Sequence, residues 1–101
     1  LCDLRLAQAA PRAQSGAECQ AYADMAIVAR ALAQGKIAPA ASAAIMATIY
    51  TLAEPRHAEM MAEILRAAER DPRPPGEFAT AFLMACAEGR GNVDGFLGVR
   101  L

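Results

Sequence analysis

Along most of this chain the apolar positions recur with the period of a helix, and no segment alternates with the period of a strand. From Ser15 to Gln34 the apolar stripe is Cys19, Tyr22, Ala26, Ala29 and Ala33, widened by a second row of Met25, Val28 and Leu32. The polar face is narrow, chiefly Gln20, Asp24 and Arg30, so this helix is expected to be central or to lend one face to a partner. Ser15-Gly16-Ala17-Glu18 has the form of a capping box, with a hydroxyl for an orphan N–H and a carboxylate three residues on. Gly35 is expected to close the helix, because glycine tolerates positive φ.

The pattern predicts three further helices, over about 39–53, 55–70 and 77–88. Pro39 and Pro55 suit first-turn positions. The helix at 55–70 is the cleanest amphipath. His57, Met61, Ile64, Leu65 and Ala68 share one face, and Glu59, Glu63, Arg66 and Arg70 lie opposite. In the last helix Phe78, Ala81, Phe82 and Ala85 form the buried stripe, with Cys86 at its margin. Between these two, Asp71 to Gly76 (DPRPPG) reads as a stiff connector or as a proline-rich ligand for another domain. The glycines after Glu88 predict a loop tail over 89–101 that carries Val93, Phe96, Leu97 and Val99 back onto the body.

Residues 1–14 are expected to form an arm, interrupted by Pro11, with a short helix over 3–10. Ala7-Gln8-Ala9 is a small-x-small triplet, so this stretch reads either as the degenerate end of a targeting segment or as an ordinary N-terminal arm. The expected fold class is therefore all-α: one domain over 15–101, a small up-down-up-down four-helix bundle.

Composition makes that bundle thin. Alanine supplies 26 of the 101 residues, and it buries little area. The segment from Ile37 to Ala53 carries no charge over 17 residues, near the lower length for a membrane span. Seven alanines with Pro39, Ser42, Thr48 and Thr51 dilute it, so a buried or partner-covered helix is expected and a transmembrane span is not. Net charge is −1 with both signs mixed along the chain, and there is no cationic stripe for nucleic acid. Nine of the ten basic residues are arginine, which with so much alanine is the composition of a GC-rich bacterial genome.

Of the three cysteines, Cys19 falls in the first turn of the first firm helix and Cys86 in the last turn of the final one. In an up-down-up-down bundle those two turns lie at the same end. A Cys19–Cys86 disulfide is then geometrically natural, worth about 4 kcal/mol by the chain-entropy argument. The alternative is a pair of buried thiols. A disulfide implies export, most simply to a bacterial periplasm. Cys2 is the odd residue and has no expected role.

Catalytic chemistry is poorly provided for. His57 is the single histidine, and its place on an apolar stripe suits a satisfied, buried imidazole. The chain contains no CxxC, no HExxH and no phosphate-cradling glycine loop. His57, Met60 and Met61 form the one combination that suits a soft metal such as copper(I), although methionine at helical spacing is also ordinary core filler. No enzyme activity, cofactor or metal is expected.

Three stretches, Glu18 to Ala33 (ECQAYADMAIVARALA), Ile45 to Tyr50 (IMATIY) and Phe82 to Cys86 (FLMAC), resemble a loose group of small exported proteobacterial helical proteins. These carry one cysteine early in the first helix and another near the end of the last. In plan the chain is also distantly similar to periplasmic acid-stress chaperones and to immunity proteins that neutralise type VI amidase effectors. The resemblance implies a helical fold and a periplasmic or otherwise exported location.

The expected function is that of a non-enzymatic, exported protein-binding or accessory subunit, whose partner is another protein or a second copy. The expected interaction face comprises Met25, Val28, Leu32, Ile45, Ile49 and Tyr50. Alternatives are an acid-stress chaperone, an immunity protein, or a carrier of a small apolar ligand or of copper.

Overall fold

A computed structural model describes residues 12–98. Cys2, the expected 3–10 helix and Val99 lie outside the described residues. The described chain is all-helical, with four long helices: α1 (Gly16–Gln34), α2 (Pro39–Ile49), α3 (Pro55–Arg70) and α4 (Pro75–Glu88). A single turn, α5 (Asp94–Leu97), follows.

Helix directions follow from contacts between named residues. Cys19 and Cys86 are disulfide-bonded with their Cα atoms 5.8 Å apart, which sets the start of α1 beside the end of α4. Arg56, in the first turn of α3, donates to Glu18 in the first turn of α1. Near the other end, Arg30 Nη1 donates to the carbonyl of Ala68 at 3.1 Å. Thus α1 and α3 run the same way and α4 runs opposite, in the expected up-down-up-down order.

The broad apolar surface of α1 has the consequence its sequence implies: α1 is the axis, with α4 and α3 packed along it and α2 covering less of it. Tyr22, Met25, Ala26 and Ala29 of α1 are buried against Met60, Ile64 and Ala68 of α3 and Phe78 and Phe82 of α4. The many alanines at these contacts shorten the distance between helices, and the rings of Phe78 and Phe82 supply the volume that alanine lacks.

The tail departs from the expected loop. Asn92 Oδ1 accepts the Asp94 N–H at 3.0 Å, an Asx turn that starts α5. Val93 and Leu97 are buried, and the half-buried Phe96 ring sits 5.4 Å from Phe78 and 5.6 Å from Phe82, edge-on to the latter. Arg70 Nη2 donates to the Leu97 carbonyl at 2.9 Å, and the Arg73 guanidinium lies over the Phe96 ring. The one-turn helix is therefore a wedge joining α3 to α4.

Two helix ends also differ from expectation. Helix α2 stops at Ile49 rather than near Ala53. Tyr50 is extended, its hydroxyl donates to Asp24 of α1, and Pro55 favours an extended Glu54. Helix α4 starts two residues earlier than the pattern indicated, with Pro75 at its first position.

At the end of α1, Gly35 has φ −79°, and it is Lys36 that takes the left-handed conformation at φ 62°. The N–H of Ile37 bonds to Leu32 O and that of Lys36 to Ala33 O, which is the Schellman arrangement with lysine at the left-handed position. We expect Lys36→Gly to stabilise the protein by about 1 kcal/mol, read as a higher urea midpoint at unchanged m-value.

The connector 71–74 is pinned, which fits the stiff-connector reading. Asp71 takes three hydrogen bonds from Arg73, and Arg30 Nε donates to Arg73 O at 2.6 Å. At the opposite end, Ala13 is buried and its N–H donates to Gly91 O at 3.0 Å. Residues 12–14 therefore pack on the body.

Candidate functional site

Three places stand out: the Glu18 cluster where α1 meets α3, a cleft beside it, and the outer face of α2.

Ser15 caps α1 as expected, its Oγ accepting the Glu18 N–H at 3.2 Å. The Glu18 carboxylate reaches one residue further back than a capping box requires. Oε1 accepts from the Gln14 N–H at 2.9 Å and from Arg56 Nη1 at 2.8 Å, and Oε2 accepts from Arg56 Nη2. Arg56 also donates to the Arg12 carbonyl, so one guanidinium ties together α1, α3 and the N-terminal segment. This bidentate pair holds the Glu18 carboxyl at about 2, from an ordinary 4.5. The Asp71 carboxyl is likewise held at about 2 by Arg73.

Both folded-state values lie below the unfolded ones, so the stability these groups contribute is present above the unfolded pKa and lost as pH falls. We expect the thermal midpoint to be flat from neutrality to about pH 5 and to drop between about pH 4.5 and 2. Glu18→Gln should flatten that drop and lower the neutral-pH midpoint, as followed by circular dichroism.

His57 is not the buried core imidazole expected from its stripe. It is partly exposed, and its Nδ1 accepts the Glu54 N–H at 3.3 Å, capping α3. That acceptor role leaves the neutral ring's proton on Nε2, which faces Glu18 Oε2 at 3.6 Å. Met60 and Met61 are buried in the core. The three groups proposed for copper are thus each engaged in the fold. Among the described residues, no group of three His, Cys, Asp or Glu has a metal-holding arrangement.

Beside the Glu18 cluster, α1, the end of α2 and the start of α3 enclose a cleft of about 260 Å³, whose walls include Tyr22, Asp24, Met25, Tyr50, Thr51 and His57. Tyr50 donates its hydroxyl to Asp24 Oδ2 at 2.7 Å and to the Asp24 carbonyl at 3.1 Å. Burial and the Asp24 carboxylate push the Tyr50 phenol well above its ordinary value. Tyr22 is 2% exposed, and its hydroxyl is buried without a hydrogen-bond partner.

The expected interaction face is divided by the fold. Met25 is buried in the core, and Val28 and Leu32 are half-buried against it. Tyr50 is half-buried and committed to Asp24. Ile45 and Ile49 remain, 38% and 54% exposed on α2, with Ile37 at 36% just before it.

The chain matches no protein-family model, no curated protein and no solved structure. Its site must therefore be read from its own chemistry.

The outer face of α2 has a simple cause. All eleven residues of α2 are uncharged, yet only Ser42 and Met46 are buried. Its apolar side chains run nearly all round the helix, so burying one side leaves the other apolar and exposed. Alongside it, the groove between α2 and α3 is floored by Ala40, Ala43, Ala62 and Leu65, with Arg66 and Glu69 on its rim. No helix among the described residues is long and apolar enough to cross a membrane.

Proposed function

We propose that this chain is a non-enzymatic helical domain, exported to an oxidising compartment, that binds another protein through the outer face of α2. The observation that carries this reading is the uncharged, mostly exposed α2, with Ile45 and Ile49 open to solvent and, on its other flank, a groove lined by alanine and leucine. A contiguous apolar surface of this kind on a small domain is a liability unless a partner covers it. Alanines at Ala40, Ala43 and Ala62 leave room for close approach, and the charged rim of Arg66 and Glu69 gives such an interface a polar edge. Export is supported by the buried Cys19–Cys86 bridge, because disulfides persist where the environment is oxidising.

The test is photocrosslinking in the native host from a benzophenone amino acid placed at Ile49. The proposal expects one discrete adduct, which Ile45→Lys abolishes while the circular dichroism spectrum is unchanged. Adducts that are diffuse, or indifferent to Ile45→Lys, would remove it. Export is checked separately, by mass spectrometry of the two cysteines in protein taken from the host.

A further inference from the structure

The first turn of α3 is capped in an unusual way. A capping box places Glu or Gln three residues after the N-cap, where its side chain accepts the N-cap N–H. Here that position is His57, and its Nδ1 accepts the Glu54 N–H at 3.3 Å. A carboxylate or amide oxygen accepts at neutral and mildly acidic pH alike. An imidazole nitrogen accepts only while it is unprotonated. His57 is the single histidine of the chain, the side-chain type whose ordinary pKa falls between pH 5 and 8. It is partly exposed, so a proton can reach it.

The groups facing the ring decide what a second proton does there. From α1, Glu18 Oε2 lies 3.6 Å from Nε2, and the Tyr22 ring stands edge-on with centroids 6.3 Å apart. Asp24 of α1 and Tyr50, past the end of α2, line the same cleft. On the side of α3, Arg56 is the neighbouring cation, shared between Glu18 and Glu54. The Glu18 carboxyl is held at about 2 and the Tyr50 phenol well above its ordinary value. Both neighbours therefore keep their charge state while the ring gains a proton. That proton settles on Nδ1 and sets donor against donor at the Glu54 N–H. Glu18 attracts the charged ring from the Nε2 side, so the Glu54 backbone is the part that gives way.

The connector beyond Glu54 is lightly held. Residues 51–53 make no backbone hydrogen bond. They hang between the Tyr50 hydroxyl on Asp24 and the Glu54 N–H on His57, with Leu52 packed on the core between them.

We propose that His57 is a proton-operated latch on the joint between α2 and α3, closed when the ring is neutral and released when it is protonated. The latch acts on the end of α2 but does not depend on what α2 binds. It also works at a higher pH than the Glu18–Arg56 pair, which yields only in strong acid.

The test follows the oxidised protein by NMR from about pH 8 to about pH 5, with the His57 ring nitrogens and the backbone amides read together. At the high end the ring should carry its proton on Nε2. On acidification the Glu54 amide proton should move upfield with the same midpoint as the ring, and the Leu52 and Ala53 amides should follow it. Hydrogen exchange at Glu54, corrected for its intrinsic pH dependence, should quicken about fivefold, the loss of one neutral hydrogen bond.

His57→Gln separates a latch from a merely structural cap. It supplies an acceptor that does not titrate in this range, so Glu54 should stay protected throughout and the three amides should lose their pH dependence. His57→Ala should leave Glu54 fast-exchanging at both ends of the range. A ring proton on Nδ1 at high pH, a Glu54 amide that stays still while the ring titrates, or a shift that persists in His57→Gln would overturn the inference.

Discussion

Replacing both bridging cysteines by alanine is expected to lower the unfolding free energy by about 4 kcal/mol. The bridge closes a sequence separation of 67 residues, from the first turn of α1 to the last turn of α4. Without it the unfolded chain recovers the freedom of that loop. On the α1 side of the core, Ala23, Ala26 and Ala29 bury little area, so the packing that must replace the bridge is thin. Against a total of ~5–15 kcal/mol for a domain of this size, the loss is severe.

Urea unfolding by linear extrapolation measures it, with reductant-treated wild type as the matching control. A change below about 1 kcal/mol would show that the alanine-lined core holds the ends together unaided. The bridge itself is protected: Cys19 is 5% exposed and Cys86 is fully buried. Reduction under native conditions should therefore be slow, and sub-denaturing urea should accelerate it.

Gly91→Ala is expected to cost about 3 kcal/mol, far more than the usual glycine-to-alanine change. Gly91 has φ 94°, beyond the small left-handed region that other residues tolerate. A Cβ there would overlap the Ala13 carbonyl oxygen and lie 3.0 Å from its carbon. The same backbone pair carries the hydrogen bond from Ala13 N–H to Gly91 O. The substitution therefore both strains the turn after α4 and expels the segment that enters α1. Gly76→Ala, where a Cβ meets nothing within 4 Å, is the control and should leave stability nearly unchanged. If Gly91→Ala unfolds at the same urea concentration as Gly76→Ala, the packing of residue 13 on this turn is not a feature of the folded protein.

Much of the fold was legible because its determinants are local. The stripes of α1 and α3, the prolines at 39 and 55 and the Ser15 cap each act within a turn or two of chain. Helix order put Cys19 and Cys86 at one end and left a bridge or two buried thiols; the bridge is what the structure has. What escaped was set by partners distant in sequence. Tyr50 leaves α2 early to reach Asp24, 26 residues away, and no local cue separates it from the helix before it. His57 looked like core by spacing, but its ring caps its own helix.

The glycine signal located the turns at 35 and 89 but misplaced the positive φ at the first, which Lys36 holds rather than Gly35. For α5 a cue was present: Asn92 two residues before Asp94 is an Asx-turn pattern, overlooked because a four-residue helix barely registers as periodic. The cleft at Tyr22 and Asp24 was invisible for a plainer reason. It is assembled from α1, the start of α3 and the residues just past α2, and none of its residues is unusual in its own segment.

The covalent link between residues 19 and 86 also governs how the protein would respond to mechanical load. Tension applied to the chain on either side of the domain passes from residue 19 directly into residue 86, and the polypeptide between them is bypassed. Only the segments outside the link would pay out. Were the link absent, the 67-residue span could lengthen by about 220–240 Å once pulled straight. Oxidised, the domain behaves as a short, stiff splice in whatever longer assembly it joins.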